Sequence, residues 1–585
     1  MSTKNQPAKI EIIRHSAAHV LAAAVLEMFP EAKFGIGPAI ENGFYYDFEL
    51  PRTLIPEDLP LLEEKMRGII KANYKFEQAE ISEKEVLEDF KKANQSYKVE
   101  LIEDIIRKSE IGNRKSKLTV YKTGNFVDLC SGPHLDSTGE IDPKALNLTR
   151  ISGAYWKSDE KNKQLQRIYG VVFESKKELD EYLKQMEEAS KRDHKKLGKE
   201  LDLFSFHSDA PGSAFWHPKG MVIWNELEKF GKSIRKKYNY LEIQTPILAK
   251  NTLWKTSGHW DHYKDTMFSF ALDKETYCLK PMDCPFNIKI YQTQQRSYKE
   301  LPIRYTEIGR ILRNEKSGEL NGLFRVRHLT QDDSHVFLTK DQVREEIVAL
   351  VKMTKEYYQT LGINPEFFLS TRPDDFIGEV RDWDEAEKDL NAALKKEDVK
   401  FEIKEKDGAF YGPKIDIDIK DALGRRWQLA TIQLDFQLPH RFNLEYINSD
   451  GKKKSPVMIH AAIFGSFERF IGIALEHFAG AFPAWLSPVQ AIIIPVSEKF
   501  NKYGNAALEK LKEKGIRAEI DSADESLGKR IREAEKQKIP YILVVGEKEE
   551  SSDAVSVRSR DTKEQTVFKI DEFIEKISKE IREKK

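Results

Sequence analysis

The sequence predicts a multidomain α+β chain that closes with a small α/β domain. At 585 residues it is too long for one core and, at roughly 150 residues per domain, should fold as three or four units. Glycine-punctuated strands follow an opening helix and return through the middle of the chain. Beyond Val489, strands and helices alternate in the pattern of a layered α/β unit.

Composition narrows the class. Hydrophobic residues make up 40% and charged residues 33%, the balance of a charge-rich globular protein. No apolar run approaches the roughly 18 residues that cross a bilayer, and the polar start MSTKNQPAKIE lacks the core of a signal peptide, so a cytoplasmic location with no membrane attachment is expected. Cys130, Cys278 and Cys284 are too few for a disulfide framework and are candidates for ligands or reactive thiols. A net charge of −1 neither demands nor excludes a nucleic-acid partner; a polyanion would require basic residues gathered on one face.

Taken in order, IIRHSAAHVLAAAVLEMF (12–29) reads as a helix, and strands in FGIGPAIENGFYYDFEL and KTGNFVDLCSGPHL complete an α+β unit over 1–175. Residues 176–200 are charged and proline-free, with Leu179, Leu183 and Met186 at helical spacing, and predict a linking helix. A helix through MVIWNELEKFGKSIRKKY and a strand in YLEIQTPIL open a mixed domain over 201–487. The last domain, 488–585, runs strand QAIIIPVS, helix 498–514, strand RAEID, helix 526–537, strands YILVVG and VSVRSR, and a closing helix, implying a largely parallel core.

There is no phosphate-binding G-x-x-x-x-G-K-[ST] loop and no G-x-G-x-x-G, so a nucleotide site would need other cations. If FRVRHLTQDDSHVF (324–337) is one strand, Arg325, Arg327, Gln331, Asp333 and His335 share a face. The strand-like IRYTEIGRILRNE supplies Arg313 and Glu315, and an antiparallel hairpin of the two segments would line up arginines suited to phosphate. GSFERFIGIALEHF adds Arg469 at the start of a helix whose apolar face is Phe467, Phe470, Ala474 and Phe478. Any one arginine alone reads as a surface ion pair; all three together read as an anion site.

In the first unit, RHSAAH sets His15 and His19 four apart on one helix face. Asp128 and Cys130 share a strand face opposite Val127 and Leu129, with His134 just beyond. H-x-x-x-H with C-x-x-x-H offers four donors for a tetrahedral metal, or a set of satisfied core side chains. Cys284, His335 and His460 are too far apart for a zinc finger, and on residue type alone read as a buried thiol and core histidines.

RNE, FRVR, GSFERF and YLEIQTPIL together resemble motifs two, three and one of class II aminoacyl-tRNA synthetases. TQDDSHVF, GAFYGPKID, QLDFQLP and SGHWDHYKDTMF narrow the resemblance to the threonyl type, and the similarity runs from His15 to Arg558. It implies an N-terminal editing domain, a class II antiparallel-sheet catalytic domain, a C-terminal anticodon-binding domain and a homodimer built on motif one. The implied activity is formation of threonyl-adenylate from L-threonine and ATP with Mg2+, then transfer to tRNA(Thr).

By the same resemblance, Arg313 meets the α-phosphate, Arg325 and Arg469 hold the far end of ATP, and Glu315 meets the adenine. Cys284, His335 and His460 hold one zinc per subunit. Gln331, Asp333, Tyr411 and Gln433 line the threonine pocket, and His259 assists transfer. Such a zinc has a physical rationale. Valine lacks the threonine hydroxyl, and a site built to bind that hydroxyl rejects the analogue by roughly 10⁴ to 10⁵. Serine lacks only a methyl, worth roughly 10- to 200-fold, so a second, hydrolytic site is required. His15, His19, Asp128, Cys130 and His134 match an editing site that clears seryl-tRNA(Thr), for which metal-free hydrolysis is expected. Glu549 and Arg558 match anticodon-reading positions.

Four residues depart from the family pattern: Phe286 and Asn287 after Cys284, Leu329 where an aromatic is expected to stack on adenine, and Ala461 where a basic residue follows the third zinc ligand. The ubiquitin-like domain common ahead of the editing unit is also expected to be absent. The alternative reading is a synthetase-like RNA-binding regulator without catalysis.

Overall fold

The computed structural model describes residues 8–111, 118–159, 161–421 and 424–585. They form a multidomain α+β molecule of two compact units that meet at Glu187/Glu188.

The first unit is organised by helix α1 (Lys9–Met28), buried from Ser16 to Val25 because its run of alanines lets neighbours approach closely. It packs on an antiparallel sheet whose strands include Gly43–Glu49, Gln164–Val172 and Leu146–Tyr155. A second sheet joins Phe76–Ile81, Leu118–Thr123 and β1 (Phe126–Leu129). The predicted linking helix is two helices, Lys176–Arg192 and α2 (His194–Glu200). Asp193 breaks the run: its side chain accepts from the Lys195 N–H and caps the second helix.

The second unit is built on an eight-stranded sheet. Helix α3 (Cys284–Tyr291) precedes the central strands β2 (Ile303–Leu312), β3 (His328–Leu338), β4 (Arg426–Asp435) and β5 (Val457–Ser466). Helix α4 (Phe467–His477) leaves β5 directly. The order across the sheet is Leu241–Glu242, β2, β3, β5, β4, Lys414–Lys420, Glu366–Ser370, Phe401–Lys404, antiparallel from β2 through Glu366–Ser370. β3 lies at the centre with both faces covered, which is why it is nearly continuously buried. Val336 and Leu338 enter the main core, whereas Phe337 packs with Cys284, Ile288, Tyr291 and Met458 on the other side.

Three expectations are corrected. β3 starts at His328, not Phe324, because the Arg325 and Arg327 N–H groups donate to Asn321 O (3.3 Å) and Gly212 O (2.6 Å) rather than to a neighbouring strand. Arg325 and Arg327 therefore sit in the loop ahead of the strand and do not share its face. YLEIQTPIL is not one strand: only Leu241–Glu242 and Leu248–Lys250 are extended in sheets, and between them Thr245 turns both its N–H and its hydroxyl to the buried Glu307 carboxylate. The C-terminal sheet is mixed: Ala518–Ile520, Ala491–Pro495 and Tyr541–Val545 run parallel, and Ala554–Ser559 and Gln565–Lys569 add antiparallel. Gln565–Lys569 carries no clear signal in the sequence because it is a short, mostly exposed edge strand.

Candidate active site

β3 and β5 pair so that His335 and His460 lie directly opposite each other, with ring centroids 4.9 Å apart. The first residue of α3 brings Cys284 to the same place. One ligand atom from each of Cys284, His335 and His460 falls within 4.8 Å of the others, and all three residues are buried. The Asp435 carboxylate, fully buried, holds His460 Nε2 at 2.9 Å and is itself fixed by the N–H groups of Gln437 and Leu438. A carboxylate behind a ligating histidine orients the ring and leaves Nδ1 for a metal. Burial, reinforced by Asp333, Asp435 and Asp283, pushes the Cys284 thiol well above its ordinary value; burial and His460 hold His335 well below. A sulfur and two imidazoles with these neighbours are a donor set that fits a divalent zinc ion, which would favour the thiolate.

Two of the residues expected to bind threonine, Gln433 and Tyr411, lie beside this trio. Gln433 lies opposite His460 on β4, and Tyr411 donates to its Oε1 at 3.1 Å. The Tyr411 ring stands 5.9 Å from His460. Asp333, two residues before His335 on the same face, is buried; burial and the nearby Asp283 raise its pKa well above the carboxylate range. Gln331 is displaced from this group by the irregularity between Gln331 and Asp333 and instead lines the cavity described next. His259 is buried, and its Nδ1 is 2.7 Å from Ser257 Oγ. Burial, then the charges of His460, Arg441, His262 and Arg313, lower its pKa to about 3.

A cavity of about 360 Å³ is lined by Arg313, Glu315, Arg325, Leu329, Gln331 and Arg469, among others. Ala462, two residues beyond His460 on β5, also lines it, which places the cationic cradle beside the metal trio. Arg469 is anchored by Nε to Phe324 O (2.9 Å) and by Nη1 to Gln428 O (3.0 Å), and burial with the nearby Arg313 and Arg325 lowers its pKa. Arg325 is paired with Glu315 (2.7 Å) and Glu319 (2.8 Å). The hairpin of β2 and β3 does bring Arg313 and Arg325 together, but from the loop beyond the strands. Leu329 faces the cavity. Ala461 does not: it is fully buried in the main core on the opposite face of β5. Phe286 packs on Trp254, and Asn287 Nδ2 donates to Asp283 O, so both serve the α3 surroundings.

In the first unit, His15, His19, Cys130 and His134 bring ligand-type atoms within 4.8 Å of one another. Cys130 Sγ is 3.3 Å from both His15 Nε2 and His134 Nε2, and burial pushes its thiol up to about 11. Asp128 sits behind them, 3.5 Å from His19 Nε2. Two residues beyond the sequence reading complete this group: Tyr46 donates to Asp128 Oδ2 at 2.6 Å, and buried Lys98 pairs with Asp128 Oδ1. A lysine in a charged helix carries no signal of its own; only the fold shows that its side chain is 3% exposed.

Glu549 and Arg558 are both in the C-terminal sheet region. Glu549 Oε2 accepts from the Gly546 N–H and so caps its own short helix, and Arg558 pairs with Glu535 (2.8 Å) beside a cavity of about 570 Å³ that also holds Lys538, Arg560 and Lys563.

Family models match three segments: the tRNA synthetase class II core domain (G, H, P, S and T) over 268–478, an anticodon binding domain over 490–580, and the threonyl and alanyl tRNA synthetase second additional domain over 118–169. Fold and site therefore define a class II aminoacyl-tRNA synthetase core. A threonine–tRNA ligase of Caldanaerobacter subterraneus subsp. tengcongensis is 51% identical over 571 residues, 98% of this chain and 87% of the relative; that of Clostridioides difficile is 50% identical over 98% and 88%. The chain belongs to the threonine–tRNA ligase family. Among solved structures, the RNA binding domain of threonyl-tRNA synthetase from Cryptosporidium parvum superposes with a TM-score of 0.64 at 42% identity, over 66% of this chain and 98% of that one. Prolyl-tRNA synthetase from the same organism, at 18% identity and a TM-score of 0.54, shares the fold. No helix among the described residues is long and apolar enough to cross a membrane.

Proposed function

We propose that this chain joins L-threonine to tRNA(Thr) at the expense of ATP and hydrolyses seryl-tRNA(Thr) in its first unit. The observation that carries this reading is the adjacency of the Cys284–His335–His460 trio to the three-arginine cavity, joined by strands β3 and β5. Nothing supports the non-catalytic alternative.

Cys284, His335 and His460 would hold one zinc, which would supply Lewis-acid charge for binding the amino and hydroxyl groups of threonine. Asp333 accepts the threonine hydroxyl's hydrogen bond, and Tyr411 and Gln433 close the pocket. Arg313 stabilises charge on the α-phosphate as the threonine carboxylate attacks phosphorus and pyrophosphate leaves. Arg325 and Arg469 hold the β- and γ-phosphates with Mg2+, which requires Arg325 to leave its pairing with Glu319. Gln331 lines the passage between amino acid and nucleotide, and Glu315 meets the adenine over Leu329. Neutral His259 takes part in the transfer step, in which the ribose hydroxyl attacks the adenylate carbonyl and AMP leaves.

In the editing site, a thiol pushed up to about 11 is a poor nucleophile at neutral pH. Cys130 therefore binds and orients, while His15, His19, Asp128 and His134 position water at the seryl ester without a metal. The assignment of 1–175 to editing, 176–200 to linkage, 201–487 to catalysis and 488–585 to the anticodon, read by Glu549 and Arg558, completes this reading. A homodimer is supported by Leu241, Leu248, Phe270 and Leu272, each more than 40% exposed in or near motif one. Threonine-dependent ATP–pyrophosphate exchange tests the whole: no exchange by the zinc-loaded, folded protein contradicts it.

A further inference from the structure

His194, the first residue of α2, is fully enclosed at 1% exposure and uses both ring nitrogens. Nδ1 is 2.8 Å from Glu476 Oε1 on α4, and Nε2 is 3.1 Å from the backbone N of Leu323. Because Leu323 can only donate, Nε2 must be the acceptor and Nδ1 must carry the proton that goes to Glu476; the contacts define the tautomer. The imidazole also lies over the Phe324 ring, with centroids 4.2 Å apart. Phe324 O is the atom that accepts from Arg469 Nε.

One side chain thus ties three elements at a single point: α2, the end of the loop that carries Arg325, and α4, which carries Arg469. Two glycines leave room for the junction. Gly322 has φ 49°, and a Cβ there would stand 2.2 Å from His194 Nε2; at Gly472 a Cβ would come within 3.1 Å of Leu323 and the Phe324 ring. Asp193, His194 and Glu476 cluster like metal ligands, but both nitrogens of His194 are spent on protein partners.

We propose that His194 is a positioning residue for the ATP site: its bond to the Leu323 N–H holds the loop end and Phe324 O where Arg469 is aimed at the nucleotide. It touches neither ATP nor threonine. Its effect is transmitted through Leu323 and Phe324 and is confined to the nucleotide, because the metal trio and Tyr411 pocket share no contact with it.

The inference rests on Arg469 binding ATP. The test is ATP–pyrophosphate exchange, varying ATP and threonine separately, on His194→Asn, His194→Gln and Arg469→Ala in the full chain, with zinc content measured alongside. Asn offers an N–H at the δ position and keeps only the Glu476 bond; Gln offers an acceptor at the ε position and keeps the Leu323 bond. The expected result is a rise in KM for ATP of about 3- to 10-fold in His194→Asn, the loss of one hydrogen bond, largely rescued in His194→Gln, with KM for threonine and zinc content within about twofold of the parent. Equal losses in both variants, or a parallel rise in KM for threonine, would mean a merely structural histidine and overturn the inference. Wild-type KM for ATP in His194→Asn would overturn it too. If Arg469→Ala leaves KM for ATP unchanged, the cradle itself has been misassigned, and that failure is distinct from loss of the His194 effect alone.

Discussion

At the scale of single residues, the chemistry follows from neighbours rather than from residue type. Cys284 would be an inert buried thiol without His335 and His460 beside it. Cys284→Ser is expected to lose zinc and threonine activation together, read by metal analysis and exchange; normal activation without metal would contradict the role. Arg469→Ala should lower exchange by roughly 10²-fold, as expected for removing one stabilising cation from developing phosphate charge. Cys130→Ala should leave activation intact and let seryl-tRNA accumulate, and unchanged serine clearance would remove Cys130 from the editing site. The residues of the two clusters were legible in sequence because motifs carry them. Their supports were not: Asp435 lies in the quoted QLDFQLP yet shows its purpose only once β4 and β5 pair, and Lys98 and Tyr46 converge on Asp128 from 30 to 82 positions away.

At the scale of elements, strand register and helix ends do the assembling. The sequence-level idea of one strand face running from arginines to selector holds for Asp333 and His335, but Arg325 and Arg327 belong to a loop whose hydrogen bonds run to Asn321 and Gly212. Alternation cannot reveal where a ladder begins, because that depends on partners far away in the chain. Helix α1 makes a pH-dependent prediction. Burial lowers the pKa of His15, and lowers those of His19 and His134 further, so the unfolded state binds more protons as pH falls below its ordinary value of about 6.5. Their contribution to stability is complete above that pH and is lost progressively below it. The protection factors of the amides in residues 9–28 of the full chain, taken relative to the intrinsic exchange rate at each pH, should therefore fall between pH 7 and pH 5; protection that is flat or rises over that range would refute neutral, buried histidines.

At the scale of the whole molecule, the sequence changes pattern along the chain: an alanine-rich helix with glycine-broken strands, a proline-free charged stretch, a long mixed region, and alternating strands and helices; the compact units are two, Met1–Glu187 and Glu188–Lys585, because contacts far apart in the chain decide what packs together. The exposed apolar side chains of Leu241, Leu248, Phe270 and Leu272 had no meaning in sequence, since exposure is a property of the fold. If the proposed homodimer uses this face, Leu248→Asp is expected to lower the sedimentation coefficient toward that of a monomer without changing metal content; a wild-type sedimentation profile would exclude this face from the proposed interface.

The central claim is that a zinc held by Cys284, His335 and His460 selects threonine next to the arginine cradle. Its most direct test is metal content measured on the same samples as ATP–pyrophosphate exchange with threonine, serine and valine. One zinc per chain, strong exchange with threonine, weaker exchange with serine and none with valine is the predicted outcome. Undiminished, threonine-selective exchange after the metal has been stripped would contradict it.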